Sequence, residues 1–279
     1  MTLGRVVRAA VRDSLLPARY VAMAWRTRSL NDAKAVLRGC QSWNTWVYEA
    51  CQEHDVPIPD MPVRDVEFYG QCGEDVVVRS ILEAKAVVHG VDLREKRYLE
   101  IGGCHPFANS ATFLLSQELG MTGVIVEPNT AVLPQLREGR PADLIVHAAV
   151  SADDADHVTL WVPRFSNISS LDRSFVSRYG GHHLESTPMQ VPAKRINDIV
   201  RDHLEGQSPV FMSIDVEGID WSLLTDFDFV TYRPWLVQVE PSDDHIPGNT
   251  RRMIGHMRSA DYALIAQTSV NLIFIDTHI

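Results

Sequence analysis

Glu100, Glu127, Asp215 and Glu240 each stand at or near the end of a short, mostly apolar run, at 97–101, 123–127, 210–215 and 235–240. Carboxylates can take ribose hydroxyls, hold a hard cation or remove a proton, depending on what faces them. Acids also favour strand-to-helix turns as caps, which would explain one or two of these positions. Four at equivalent ends point to a polar cleft. Gly102 and Gly103 follow the first run, where a missing side chain lets the backbone approach a ligand closely. Glu127, about 25 residues further on, suits the ribose hydroxyls of a nucleotide or nucleoside. The glycine turn does not continue as GxGxxG, because Ala108 or Asn109 stands where the third glycine belongs. A pyrophosphate grip is therefore disfavoured. A nucleoside cofactor without phosphates, S-adenosylmethionine, fits better.

The elements that must position these acids follow from periodicity. Apolar runs at 97–101, 123–127, 144–149, 210–215 and 235–240 alternate with helical stretches at 111–119, 131–137, 196–204 and 250–259. Segments 262–266 and 271–276 close the pattern. Continuous apolar strands separated by helices indicate a parallel sheet covered on both faces, an α/β doubly wound domain. Ligands of such sheets bind beyond the carboxyl ends of the strands, where the acids are. Two further strand-like runs, 157–162 and 189–191, flank a polar stretch around Ser169 and Ser170 and are expected over an edge or the mouth of the site.

The chain has 279 residues, of which 45% are hydrophobic and 22% charged, enough apolar material for a core. No run reaches the 18 or so apolar residues of a membrane span. No secretory leader is visible, and four cysteines without CxxC spacing read as thiols of a reducing cytoplasm. Residues 3–52 read as helical, and Pro57, Pro59 and Pro62 mark the boundary of a 1–60 extension from a 61–279 domain. Net charge is −10, divided into +6 over residues 1–40 and −16 over the rest. An acidic body excludes nucleic acid as the main partner. The basic extension suits peripheral contact with the inner face of a membrane, or an acidic partner, unless it is only a solvated helix face. Trp25, Trp43, Trp46 and Tyr48 in the same extension make a homo-oligomer the other expectation.

The ordered motifs resemble those of FkbM-type S-adenosylmethionine-dependent methyltransferases. The matching pieces are Tyr69–Asp75, Tyr98–Gly103 with Asn109–Thr112, Gly123–Pro128, His147–Ser151, Ser169–Leu171, Ser213–Gly218 and Arg233–Glu240. Together they span roughly 66–276 in the family's order, with residues 1–60 outside. The resemblance implies a Rossmann-like seven-stranded sheet whose last strand is antiparallel. The first motif departs from the family's usual DIGAxxG: it has Glu100, and Cys104, His105 and Pro106 follow Gly103.

By resemblance, Glu100, Gly102 and Gly103 line the methionine and ribose part of the cofactor, and Glu127 takes the ribose hydroxyls. Asn129 and the backbone at Ala148 flank the adenine. Gln71, Glu74 and Asp75 reach the amino-acid end, unless they only cap a helix. Methyl transfer to oxygen needs in-line alignment and a base or metal to activate the hydroxyl. Asp215 is the first candidate base, with Glu217 and Glu240 able to join it. Converging carboxylates repel unless a proton or cation intervenes, so Mg²⁺ on Asp215 and Glu240 is one expectation. His105 and His245 offer a metal-free general base. Ser169, Ser170 and Glu240 are placed on the acceptor, which the resemblance makes a small-molecule or glycan hydroxyl. An N-methyltransferase and a non-catalytic nucleoside-binding module are the alternatives.

Overall fold

The computed structural model describes residues 68–163, 168–179 and 186–279. The 1–60 extension and its tryptophans therefore lie outside the described residues. Chain order is α1 (Glu74–His89), β1 (Arg97–Ile101), α2 (Phe113–Leu119), β2 (Thr122–Val126), α3 (Leu133–Gly139), β3 (Leu144–Val146) and β4 (Ala149–Val150). It continues through β5 (His157–Val162), α4 (Arg173–Tyr179), β6 (Thr187–Lys194), α5 (Ile196–His203), β7 (Phe211–Ile214) and α6 (Asp220–Asp226). Then come β8 (Leu236–Val239), α7 (Asn249–Ser259), β9 (Tyr262–Gln267) and β10 (Leu272–Asp276).

Seven strands form one sheet in the order β3-β2-β1-β7-β8-β10-β9. The first five run parallel, and β10 lies antiparallel between β8 and β9. The order reverses between β1 and β7, a topological switch point at which α/β sheets open a crevice. The expected fold class is the one observed.

The two-residue period of the strands divides the core. Leu99, Ile101, Met212, Ile214, Val237 and Val239 face one side and pack with Ile199 and Val200 of α5, Leu223 of α6 and Met253 of α7. Tyr98, Phe211, Leu236 and Ile273 face the other and pack with Val78 and Leu82 of α1 and Leu115 of α2. Val78, Leu82 and Ala86 recur at i, i+4 and i+8, so α1 presents one apolar stripe to the sheet. Each fully buried aliphatic side chain of this kind contributes about 1.5–3 kcal/mol. Gly90, at φ 63°, ends α1 in the left-handed turn that glycine adopts without strain.

Two boundaries differ from the sequence pattern. The 144–149 run divides: β3 joins the main sheet, whereas β4 pairs with β6 in a three-stranded sheet ordered β4-β6-β5. His147 and Ala148 carry the chain between the sheets, and the His147 ring nitrogen meets the Pro128 carbonyl at 3.1 Å. The strand expected at 189–191 extends over all of β6, because its antiparallel partner β5 supplies a full register.

Candidate active site

The site begins with an interruption of the α1/α2 face. One register level beyond buried Tyr98, Phe211 and Leu236, the same face carries Glu100, Ser213 and Gln238, side by side across β1, β7 and β8. These polar residues, 2–4% exposed, replace the apolar layer where the strands end. Together with Glu74, Asp215 and Asn271 they line a cleft of about 280 Å³, open space included.

Gly102 forms its wall. At φ 93°, a Cβ there would stand 1.7 Å from the Asp215 carbonyl oxygen, so the turn after β1 lies directly against the turn after β7. Gly103 is as tight, since its Cβ would meet Ile125 Cγ2 at 2.1 Å. Glu100 organises the loop that follows. Its carboxylate accepts from the Ser110 hydroxyl at 3.1 Å, the Ala111 amide at 2.9 Å and the Thr112 hydroxyl. Burial pushes this carboxyl up, against the pull of Arg140 and those donors.

Arg140 is a residue the sequence reading did not single out. It caps the end of α3, 2% exposed, and uses all five of its N–H donors. They reach Asp143 (2.8 Å), the Pro106 carbonyl (3.0 Å), Ser110 (3.1 Å), the Tyr98 hydroxyl (2.8 Å) and Thr112 (2.8 Å). Tyr98 in turn donates to Asp143 at 2.6 Å. A lone arginine at a helix end gives no sequence signal that it will be buried.

Glu127 emerges from β2 beside this loop. Its carboxylate accepts from the Asn129 amide at 2.6 Å and from the Cys104 amide, and burial raises it to about 7. Asn129 Oδ1 accepts from the Ala131 amide, whereas its Nδ2, buried, has no protein partner. Ala148 packs into the core against the other face of the sheet.

At the opposite rim, Glu74 accepts from the Gln71 and Cys72 amides at 3.0 and 2.7 Å and from Asn271 Nδ2 at 3.1 Å. Gln71 and Glu74 line the cleft. Asp75 does not. It faces away to accept from the Tyr69 amide at 2.7 Å, fastening the 69–73 loop, and burial raises it to about 6. Asp75 thus ties the loop to the start of α1.

The acids at the ends of β7 and β8 converge. Asp215, Glu217 and Glu240 each offer an oxygen within 4.8 Å of the others. Asp215 and Glu240 face each other closely enough that each shifts the other's titration. Burial, with Glu74 and Glu100 nearby, raises Asp215 to about 6. Burial and its acidic neighbours push Glu217 and Glu240 well above the carboxylate range. Local backbone aims the trio: Glu217 sits at φ 59° and Gly218 at φ 106°, and Asp220 accepts from the Val216 and Gly218 amides at 3.1 and 3.0 Å.

The remaining candidates separate into neighbours and supports. The Ser170 hydroxyl donates to the Glu217 carbonyl at 2.5 Å and accepts from the Asp172 amide at 2.9 Å. Ser170 thus latches two loops together. Ser169, half-buried, adjoins it. His245 meets Asp172 at 2.9 Å and packs edge-on to Phe175 at 5.1 Å. Phe175 covers Gly218, where a Cβ would come within 2.8 Å of its ring. His245 is therefore joined to the acid loop through that ring. His105 has both ring nitrogens in contact. Its Nδ1 accepts from the Ala108 amide at 2.9 Å, Nε2 meets Gln135 at 3.1 Å, and burial holds it down to about 4. The ring is neutral and belongs to the 105–108 loop.

Residues 100–264, more than half of the chain, match the family model described as the methyltransferase FkbM domain. No curated protein matches the chain in sequence. Among solved structures, a TehB-like SAM-dependent methyltransferase from Corynebacterium glutamicum aligns at 9% identity and a TM-score of 0.33, covering 72% of this chain and 97% of that one. MtNAS in complex with MTA and tNA aligns at 11% identity and a TM-score of 0.35, covering 99% of this chain and 90% of that one. Both likenesses are distant, and the assignment rests on the family match, which spans the glycine turn, Glu127 and the acid trio. The chain belongs to the FkbM-type S-adenosylmethionine-dependent methyltransferase family.

Proposed function

We propose that the protein transfers a methyl group from S-adenosylmethionine to a hydroxyl of a sugar or glycosylated small molecule. The observation that carries this reading is the direct packing of Gly102 against Asp215, which sets the donor loop beside a cluster of three carboxylates. The chain's own groups fit the donor. Glu127 offers a carboxylate suited to vicinal hydroxyls, and the unpartnered Asn129 Nδ2 stands two residues away as a donor to a nucleoside. When bound, S-adenosylmethionine supplies an electrophilic methyl group on a sulfonium. Asp215 would take the acceptor hydroxyl's proton as the oxygen forms its bond to the methyl carbon and the carbon–sulfur bond breaks, its electron pair leaving on the now neutral thioether sulfur; Glu240, beside Asp215, would share the proton taken up. No covalent intermediate on the protein is needed.

One observation supports a second version of the same step. The 4.8 Å grouping of Asp215, Glu217 and Glu240 fits a hard divalent cation such as Mg²⁺, which would orient and acidify the hydroxyl. The two versions differ in their dependence on EDTA and on pH. Without metal, turnover rises with pH through about 6 as Asp215 loses its proton, and EDTA has no effect. With metal, EDTA abolishes turnover and Mg²⁺ restores it.

Asp215→Asn is expected to lower turnover by a factor of roughly 10² to 10⁴, the range of a lost general base. Calorimetry should find S-adenosylhomocysteine binding within about threefold of wild type. Near-normal turnover in the variant would remove Asp215 from the mechanism. Methylation of an amine but never of a hydroxyl, in an acceptor screen, would replace the O-methyl reading with its N-methyl alternative.

A further inference from the structure

The acid trio has to be held together against its own charge. Asp215 and Glu217 come from the turn after β7 and Glu240 from the turn after β8, with oxygens within 4.8 Å of one another. Like charges at that range repel. Glu217 adds the strain of φ 59°, in the left-handed region that glycine favours. The sheet aligns the roots of the two turns, through the Glu240 amide on the Ile214 carbonyl at 3.3 Å. Their outer ends are tied by a third piece of chain.

That piece is residues 170–175, which lead from β5 into α4. Ser170 is fixed to β5, since it and Trp161 exchange backbone hydrogen bonds at 2.8 and 3.2 Å. From there its hydroxyl grips the strained residue by its own backbone, donating to the Glu217 carbonyl at 2.5 Å. Two residues on, Asp172 meets His245 of the other turn at 2.9 Å. Asp172 is held in turn, its second oxygen accepting from the Ser174 amide and hydroxyl at 2.8 and 2.6 Å. Buried Phe175 completes the bridge, with its ring over Gly218 on one side and edge-on to His245 on the other. The turn after β8 is anchored from behind as well. Asn249 Nδ2 donates to the Pro241 carbonyl at 2.7 Å, and the Thr250 amide and hydroxyl donate to Asp243. One short segment therefore touches both acid turns at once.

We propose that Ser170, Asp172 and His245 are positioning residues, a clasp that holds the turn bearing Glu217 against the turn bearing Glu240. Ser170 acts on Glu217 through its carbonyl, Asp172 acts on the second turn through His245, and Phe175 couples the two. In this role His245 orients a loop and does not take the acceptor's proton. The side chain at 245 decides between those roles. Glutamine offers Asp172 an N–H donor but no base, and leucine offers neither. The effect of the clasp on turnover rests on the proposed function, whereas its effect on the two turns does not.

The test uses the full chain with Ser170→Ala, His245→Leu and His245→Gln, read by amide hydrogen exchange and steady-state kinetics. The clasp predicts that Ser170→Ala and His245→Leu each speed exchange in both turns, 213–221 and 240–247, by about fivefold or more. Segments 97–103 and 122–127 keep wild-type rates, which shows an intact fold, and His245→Gln restores slow exchange. An effect confined to one turn would overturn the coupling, as would unchanged exchange in all three variants. In kinetics, Ser170→Ala and His245→Leu are expected to lower kcat by about tenfold or more. KM for S-adenosylmethionine stays within roughly threefold of wild type. His245→Gln recovers most of the lost kcat. A glutamine variant as slow as the leucine one would overturn the positioning role of His245 and make it a base. A lower melting temperature with wild-type kcat would overturn the clasp as a catalytic support. If wild type methylates no acceptor, the proposed function falls, and the exchange rates alone decide the clasp.

Discussion

Arg140 shows how a single side chain can hold a site it does not enter. Its five donors bind acceptors on β1, the 105–112 loop and Asp143, and the charge offsets buried Glu100. Lysine keeps the charge but has three donors, so at least two buried acceptors lose their partner, at about 1–3 kcal/mol each. Arg140→Lys is therefore expected to lower the melting temperature by several degrees and to weaken S-adenosylhomocysteine binding, measured by thermal unfolding and calorimetry. Unchanged values in both would remove Arg140 from the site's support. The same contrast explains what the sequence could and could not reveal. Glu127, Asp215 and Glu240 were legible as acids because a carboxylate at the end of an apolar run breaks the pattern visibly. Gln238 sits inside such a run, and its role depends on Glu100 and Ser213 from other strands, which only the sheet register brings alongside. A histidine after the glycine turn reads as a base, and its burial and its contact with the Ala108 amide depend on a loop that spacing alone does not reveal.

At the level of elements, the turns after β1 and β7 act as one piece. Gly102 has no room for a methyl group, and its φ of 93° is unfavourable for any other residue. Gly102→Ala must push the β1 turn off the Asp215 carbonyl, at a cost of roughly 3 kcal/mol or more from overpacking and backbone strain. The expected outcome is a folded but destabilised protein whose turnover falls more than its thermal stability predicts, read by kinetics beside calorimetry. Wild-type turnover would show that the two turns are not coupled. The strands and the helices between them were readable from apolar periodicity, and the antiparallel close from the family resemblance. The division of 144–149 between two sheets was not, because a continuous apolar run does not record where the chain changes partners.

Across the whole molecule, the acids set opposing demands on pH. Asp75 and Asp215 are raised to about 6, Glu127 and Asp220 to about 7, and Glu217 and Glu240 further, chiefly by burial. Between the unfolded carboxylate range and pH 7, the folded state therefore holds more protons than the unfolded one. Stability falls as pH rises through that window. His105, held down to about 4, works the other way, since its charge on acidification favours unfolding, but it is one group against seven, Glu100 included. Melting temperature is expected to be higher at pH 5.5 than at pH 8, while metal-free turnover runs in the opposite direction. A melting temperature that climbs from pH 5.5 to 8 would contradict the assignment of these acids as buried and uncompensated. Among the described residues no helix is long and apolar enough to cross a membrane.

The place of β10 in the sheet has a consequence for synthesis. β10 is the last of the strands along the chain, yet it lies between β8 and β9 and contacts both. Until residues 272–276 leave the ribosome, β8 and β9 are two open edges, and Asn271 has no strand to hold it against Glu74. The acids at the ends of β1, β2 and β7 are by then already translated. A chain stopped at residue 267 is expected to bind no S-adenosylhomocysteine in a pull-down of nascent chains, whereas one extended past 276 does. Recovery of the shorter chain would show that the cleft forms without its last strand. Ligand capture thus reports that translation has passed the final strand, and a half-made protein cannot sequester the cell's methyl donor.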